Sequence, residues 1–294
     1  MVNQSQVFGQ IQHKLGERPG EIPRKADVTI MMKKLYHPSL DGDRLFYSQG
    51  NDDVPMQPIR TDIGGVTSYC TIAATNVLNA GDWQNEPRPA GFVGPTWPPT
   101  RIEHLLGRPH FTEYCIGCND DTRPCNCSYE KWSALIADFV TAKIAIRAVP
   151  NKGDGGFARG KIYKEAFVGE FTGRVLPRTT QELGEADQYY SSIMIGEFSG
   201  TYEGHPSAWV DCAHTGSIAR FYNHSCEPNA KIWEYRSGMS HRILVYQTLQ
   251  EIEEGEEITV DYGENWFAGL DQLCLCETAS CKNPPIVGMD KVAF

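Results

Sequence analysis

The chain has 294 residues, 40% of them hydrophobic, enough apolar material for one large core or two small ones. Its 37 acidic against 27 basic residues give a formal charge of −10, so the long-range field repels phosphate backbones and attracts basic partners, which argues against sequence-specific nucleic-acid binding. No stretch approaches the roughly 18 consecutive apolar residues of a membrane-crossing helix, and no membrane association is expected.

At the N-terminus, MVNQSQVFGQIQHKLGERPG lacks the apolar h-region of a secretory signal. Residues 1–110 carry no catalytic motif and their role is unassigned; the prolines and glycines of NEPRPAGFVGPTWPP predict an extended wrapping segment or a linker. A cysteine cluster follows, CIGCNDDTRPCNCS, with C-x2-C-x6-C-x-C spacing. A tetrahedral zinc ion needs four soft ligands gathered by short flexible turns, and Cys115, Cys118, Cys125 and Cys127, with Asn, Asp and Pro between them, supply these. Disulfides are the alternative, but they belong to an oxidising, secretory context.

In YEKWSALIADFVTAK, Trp132, Leu135, Ile136 and Phe139 fall at i, i+3, i+4 and i+7 and predict a packing helix. Glycine-rich NKGDGGFARG comes next. The segments AFVGEFTGRVL and HRILVYQTL predict strands, and EIEEGEEITVDYG predicts an acidic turn at Gly255 leading into another. Residues 220–229 read RFYNHSCEPN, an unusual concentration of His, Cys and Asn. Near the C-terminus CLCETASC sets Cys274, Cys276 and Cys281 together, one ligand short of a tetrahedral site. Of the unclaimed cysteines only Cys226 sits in a polar, turn-like setting, beside His224 and Pro228, so it is the expected fourth ligand. On that count eight cysteines serve two zinc ions, the second tying the C-terminal tail back over residues 223–229 and closing a pocket. Cys70 and Cys212 read as ordinary buried thiols.

RFYNHSCEPN followed by GEEITVDYG and CLCETASC, with NKGDGGFARGKIYKEAFVGEFTGRV upstream, resembles the SET-domain protein (histone) lysine methyltransferases. The likeness spans about residues 141–283. It implies a mainly β fold with a few helices, small curved sheets around a pseudoknot, flanked by zinc-binding pre-SET and post-SET segments. The implied division is an N-terminal region at 1–110, a reduced pre-SET-like zinc segment at 111–140, the SET domain at 141–263 and a post-SET segment at 264–294.

The resemblance also implies roles. The cofactor is S-adenosylmethionine, approached by the backbone of Lys152, Gly153, Asp154 and Gly155, with Arg220, Asn223 and His224 from the asparagine-histidine motif and further contacts from Tyr190 and Trp266. Tyr262 is the catalytic tyrosine. No strong general base is required, because an apolar channel lowers the pKa of the acceptor lysine. In the substrate pocket the residue before the Asp-Tyr pair is Val260 where the family usually has an aromatic, and Phe171 replaces the tyrosine of the Gly-Glu-Tyr motif. Neither offers a hydroxyl to hold a water where a second or third methyl must go, so di- or trimethylation is expected.

The expected substrate is a histone tail or nucleosome, basic and extended, added as a strand to an acidic, β-rich groove. Glu251, Glu253, Glu254, Glu256 and Glu257 would steer it, or form a merely solvated turn. Histone H3 is favoured, with lysine-9 and histone H4 lysine-20 enzymes as the types to which the motifs are similar, although four pre-SET cysteines are fewer than lysine-9 enzymes carry. A nuclear location follows from that substrate. The alternatives are a methyltransferase for a non-histone protein and a catalytically silent SET module that binds without turnover. The oligomeric state is not specified.

Overall fold

The computed structural model describes residues 36–38, 44–48, 57–58, 60–63, 66–88, 95–106, 114–120, 125–177, 193–195, 208–238, 241–263 and 273–284. Strands dominate, and the long helix among the described residues is Tyr129–Lys143. Ser128 caps it by accepting from the Lys131 amide at 3.3 Å, with Glu130 in the first turn and Lys143 in the last, each complementing the helix dipole. Trp132, Ile136, Phe139 and Val140 are buried and Leu135 lies partly buried at the edge, so the predicted stripe is core. Burial of each such side chain contributes about 1.5–3 kcal/mol. The helix passes directly into the strand Ile144–Val149, where the Ile144 amide closes the last turn on the Val140 carbonyl.

That strand forms a hairpin with Gly153–Ala158, in register from Ile144 opposite Ala158 to Val149 opposite Gly153. The glycine-rich run is therefore the hairpin's turn and second strand, turned by positive φ at Asn151 (63°) and Gly153 (80°). The free edge of Gly153–Ala158 meets the acidic turn: the Ala158 amide donates to the Glu256 carbonyl at 2.9 Å and the Ile258 amide to the Gly156 carbonyl at 2.8 Å.

AFVGEFTGRVL is divided between two sheets. Phe167–Glu170 joins a three-stranded antiparallel sheet with His241–Thr248 at its centre and Ala230–Ser237 beyond. Gly173–Pro177 joins a larger sheet that runs through Tyr36–Pro38, Arg44–Ser48, Thr71–Ile72 and Ala208–Gly216. Between them Phe171 donates its amide to the Leu244 carbonyl at 2.8 Å, and the Thr172 hydroxyl donates to the Ala73 carbonyl at 2.6 Å. A side chain at Gly173 would collide with the backbone of Asp211.

Part of the region before residue 110 is thus structural. Thr71–Ile72 runs parallel to Thr215 and Gly216, Trp83 is buried with its indole donating to the Val175 carbonyl at 3.2 Å, and Arg174 pairs with Asp82. In NEPRPAGFVGPTWPP the described residues wrap: the Trp97 indole donates to the Glu86 carbonyl at 2.7 Å and meets Trp83 edge-on at 5.8 Å.

The first cysteine cluster hangs on the outer strand of the three-stranded sheet. Cys115 bridges to Arg236, and Arg236, 1% exposed, donates to the Asp120 carbonyl at 2.6 Å, to the Gly238 carbonyl and to Cys125 Sγ at 3.5 Å. A buried guanidinium is tolerable there because it faces carbonyls and sulfurs that accept every one of these contacts.

Beneath the helix lies a second buried ionisable group. Glu170 is 3% exposed, and its carboxyl accepts from the Tyr129 hydroxyl at 3.0 and 3.1 Å, while the Tyr129 ring stacks on His241 at 3.8 Å. Burial raises its pKa well above the ordinary 4.5. A carboxyl raised in this way favours folding fully below its unfolded pKa, and that contribution is lost as pH rises through the folded value. Urea titrations of the wild type should accordingly show stability declining with pH above about 4.5, and Glu170→Gln should flatten the decline. Parallel pH slopes in the two proteins would assign the dependence to other groups.

Candidate active site and two thiolate clusters

The site is built where two segments distant in sequence run side by side. Asn223–His224 pairs parallel with Thr259–Val260, and the Ser225 amide continues the ladder to the Val260 carbonyl at 2.9 Å. Asn229 locks the pairing: its Oδ1 accepts from the Thr259 amide at 2.8 Å and its Nδ2 donates to the Glu257 carbonyl at 2.8 Å. The two asparagines of the motif therefore do different work. Asn229 is 5% exposed and holds backbone, whereas Asn223 is half-buried.

Tyr262 is fixed at both ends. Its amide donates to His224 Nδ1 at 3.1 Å, and its hydroxyl donates to the Tyr222 carbonyl at 2.9 Å. Accepting at Nδ1 assigns the imidazole proton to Nε2, which lies 3.4 Å from Cys226 Sγ. Burial, reinforced by Cys212 and Glu257, pushes the Tyr262 phenol well above its usual pKa, so near neutral pH it is a hydrogen-bonding group and not a base. Burial also holds His224 below its usual value, although Asp261 pulls the other way.

On the glycine-rich side, Asn223 Nδ2 donates to Glu257 Oε1 at 2.7 Å and to the Asp154 carbonyl at 3.3 Å. Both amide hydrogens are thus engaged and Oδ1 is left as the acceptor. A Cβ on Gly155 would stand 2.6 Å from Glu257 Oε1 and 3.0 Å from Asn223 Nδ2, so only glycine lets these groups meet. Lys152 and Asp154 are half-buried and Gly153 exposed. Arg220 is directed elsewhere, to the Ala213 carbonyl at 2.7 Å and the Cys70 thiol, and its charge lowers the Tyr262 pKa slightly from a distance. Tyr190 and Trp266 lie outside the described residues.

Phe171 is 1% and Val260 2% exposed. Phe171 faces Tyr246 edge-on at 6.4 Å, Tyr246 faces Tyr222 at 5.4 Å, and the His224 and Tyr262 rings are 5.5 Å apart. These rings pack into a buried aromatic cluster beside Tyr262. Of its members, Tyr222 and Tyr246 escaped the sequence reading, as did the contact of Glu257 with Asn223, since Glu257 is expected from sequence to steer a basic tail or to form a solvated turn. The available signal for Glu257 was its alternation with buried Ile258 and Val260, which marks the start of a strand.

The eight expected ligand cysteines gather in two sets, Cys115, Cys118, Cys125 and Cys127, then Cys226, Cys274, Cys276 and Cys281, with the Sγ atoms of each set within 4.8 Å of one another. Tetrahedral Zn–S bonds of about 2.3 Å place sulfurs about 3.8 Å apart, so both sets fit such an ion. All eight are free thiols. One cysteine of each set is held toward the thiolate: although burial raises Cys276, hydrogen bonds from Thr278 and the backbone lower it to about 6, and in the first set backbone, neighbouring thiols and Arg236 lower Cys125 to about 7 against the same opposition, whereas burial pushes Cys118, Cys127, Cys226 and Cys274 up. The tail carrying the second set is held by the Lys282 amide on Cys226 Sγ (3.3 Å), by Ser280 Oγ on Glu227 (2.6 Å) and by Lys282 on Asp261 (3.3 Å).

The family model described as SET domain matches residues 153–263, the span that contains the glycine-rich hairpin, the crossing segments and Tyr262. A Caenorhabditis briggsae protein named "Probable histone-lysine N-methyltransferase set-23" is 30% identical over 182 residues, 60% of this chain and 74% of that protein. The chain belongs to the SET-domain protein-lysine methyltransferase family. Proteins named "Histone-lysine N-methyltransferase, H3 lysine-36 specific" from Saccharomyces cerevisiae and Schizosaccharomyces pombe are 32% and 30% identical over 150 and 172 residues, and the chain spans 19% and 20% of their lengths. The methyltransferase domain of human histone-lysine N-methyltransferase SETMAR aligns over 48% of this chain and 56% of that one, at 25% identity and a TM-score of 0.39.

Elemental analysis of the purified chain should find two metal equivalents, one per four-sulfur set. Cys276→Ser should lower the count to one and render the tail sensitive to protease. A count that stays at two would remove Cys276 from the ligand set.

Proposed function

We propose that the chain transfers methyl groups from S-adenosylmethionine to a lysine of a histone H3 tail in the nucleus, with both four-cysteine sets holding zinc. The observation that carries this reading is Tyr262, a partly buried residue whose neutral phenol is fixed by Tyr222 and whose amide is fixed by His224, beside an aromatic cluster. Bound S-adenosylmethionine would supply a methyl carbon activated by a sulfonium charge.

An incoming lysine has an ordinary pKa of about 10.4 and no lone pair until it loses a proton. Phe171, Val260, Tyr222 and Tyr246 desolvate the amine, and desolvation of a cation favours the neutral form. Tyr262 then orients the nucleophile without taking its proton. On the cofactor side, Asn223 Oδ1 is the acceptor left for the cationic amino end, and Glu257 holds the amide by its nitrogen. The backbone of Lys152, Gly153, Asp154 and Gly155 lines the same edge. Tyr190, Arg220, His224 and Trp266 complete the proposed set, Arg220 and His224 acting through the backbone and charge of the motif. Without hydroxyls at Phe171 and Val260, two or three methyl groups fit.

The motifs alone favoured lysine-9 or histone H4 lysine-20 enzymes, whereas the names of the yeast relatives favour histone H3 lysine 36. Mass spectrometry of nucleosomes and free histones incubated with the protein and S-adenosylmethionine separates these sites. We expect methylation at one H3 lysine, reduced about 100-fold or more in Tyr262→Phe through lost orientation. Cofactor binding without transfer to any histone would move the assignment to a non-histone substrate or a silent binding module. Glu257→Leu should weaken S-adenosylmethionine binding by about tenfold or more in calorimetry by freeing the Asn223 amide, while exposed Glu254→Leu leaves it unchanged. Equal affinities in both variants would place the cofactor away from Asn223.

A further inference from the structure

The two sulfur sets differ in what surrounds them. Beside the first stands a buried cation, Arg236, which is 1% exposed on the outer strand Ala230–Ser237 and meets both halves of the cysteine loop. Its backbone brackets Cys115: the Arg236 amide donates to the Tyr114 carbonyl at 3.0 Å, and its carbonyl accepts from the Ile116 amide at 2.8 Å. Its guanidinium reaches the turn after Cys118 through the Asp120 carbonyl at 2.6 Å and the second cysteine pair through Cys125 Sγ at 3.5 Å. The Gly238 carbonyl, to which Arg236 also donates, lies 3.6 Å from the same sulfur. At the second set the sulfurs meet the Lys282 amide at 3.3 Å, the Thr278 hydroxyl at 3.2 Å and the His224 ring at 3.4 Å, while the Lys282 ammonium reaches Asp261 at 3.3 Å. That lysine side chain is 59% exposed, so water screens its charge.

Charge decides what the buried cation does. Four thiolates on one divalent ion leave an excess of about two negative charges. Carbonyl dipoles meet only part of the charge of a buried guanidinium, whereas a buried anion opposite it offsets the desolvation of both. An N–H directed at a thiolate also holds it against protonation, and so against loss of a metal.

We propose that Arg236 is the counter-cation of the first sulfur set, a positioning residue that holds Cys125 toward the ion and makes this set the more tightly held of the two metal centres. The inference rests on the reading of both sets as zinc sites, and it concerns the metal alone, so its test does not depend on methyl transfer. The first set is then a permanent fastening of the cysteine loop to the three-stranded sheet. The second, beside His224, is the one that empties first when metal is scarce.

The test uses the zinc-loaded full chain and the coloured chelator pyridylazoresorcinol. The wild type should release zinc in two steps, with the faster step missing in Cys276→Ser, so that the slower belongs to the first set. In the Cys276→Ser background, Arg236→Gln keeps amide donors for the carbonyls and removes the charge, and it should release its zinc at least about tenfold faster. Arg236→Lys, which keeps the charge, should recover most of that difference. With cobalt(II) in place of zinc, Arg236→Gln should move the sulfur-to-metal charge-transfer band to longer wavelength while the tetrahedral d–d absorption is kept, because a sulfur without its cation gives up an electron more readily. Equal acceleration in the Gln and Lys variants would leave Arg236 a packing residue and overturn the proposal. A wild type whose first set empties before the second overturns it without any variant, should Arg236→Gln not fold. A first set that takes no metal in the wild type overturns the zinc reading and this inference with it, whereas metal held with unchanged release and unchanged cobalt spectra in all the variants overturns the inference alone.

Discussion

The crossing of residues 222–229 with residues 257–262 is the constraint on which the rest of the site depends. Each partner strand is only two residues long, too short to persist by its own ladder. Asn229 compensates by bonding backbone on both sides of Ile258, like a strand residue folded into a side chain. Bonds of this kind contribute about 1 kcal/mol each, but leaving these buried groups unmet would cost more. Once they are made, the positions of Tyr262, Val260, Glu257 and Asn223 follow, because all four stand on the two crossed segments. The phenol reaches back to Tyr222, the first residue of the opposite segment, and so closes the crossing a second time.

The electrostatic character of the site follows from that burial. The titratable groups nearest the cluster, Tyr262 and Tyr246, are held in their neutral forms, and His224 is pushed the same way. A cluster of neutral donors and acceptors suits an amine that must arrive without its proton, since an anionic base there would stabilise the ammonium instead. The Glu257 carboxylate is spent on the Asn223 amide, and Asp261 stands 3.8 Å from His224 Nδ1.

Much of this was legible in the sequence because the informative residues are neighbours in the chain. Cysteine spacing, the His-Ser-Cys run and the Asp-Tyr pair are local patterns, and each maps onto one turn or one strand end. What escaped depends on pairing across the fold. Tyr246 sits in a strand buried on both faces, so alternation could not tell which side it presents. Arg236 reads as a solvent-facing strand residue and is buried only because the cysteine loop folds over it. Thr71–Ile72 is too short to signal a strand, yet it lines up with Thr215 and Gly216 through contacts about 144 residues apart. The division of AFVGEFTGRVL between two sheets was likewise invisible, since both halves have the same β-forming composition and only the close approach of Asp211 at Gly173 forces the change.

The second thiolate set joins the metal question to the aromatic cluster. Cys226 is two residues from His224, whose ring contacts its sulfur through Nε2 and receives the Tyr262 amide at Nδ1. A single imidazole thus connects the sulfur set that fixes the tail with the residue beside the cluster. The other ties between tail and domain, Lys282 to Asp261 and Ser280 to Glu227, are exposed, and surface contacts of this type contribute about 1 kcal/mol or less. They are too weak to hold residues 273–284 in place against chain entropy. Four sulfur ligands to one ion are not, because a structural metal site contributes its binding free energy directly to folding. An ion held by Cys226, Cys274, Cys276 and Cys281 would therefore fix the tail beside the segment that carries His224, whose Nδ1 accepts from the Tyr262 amide.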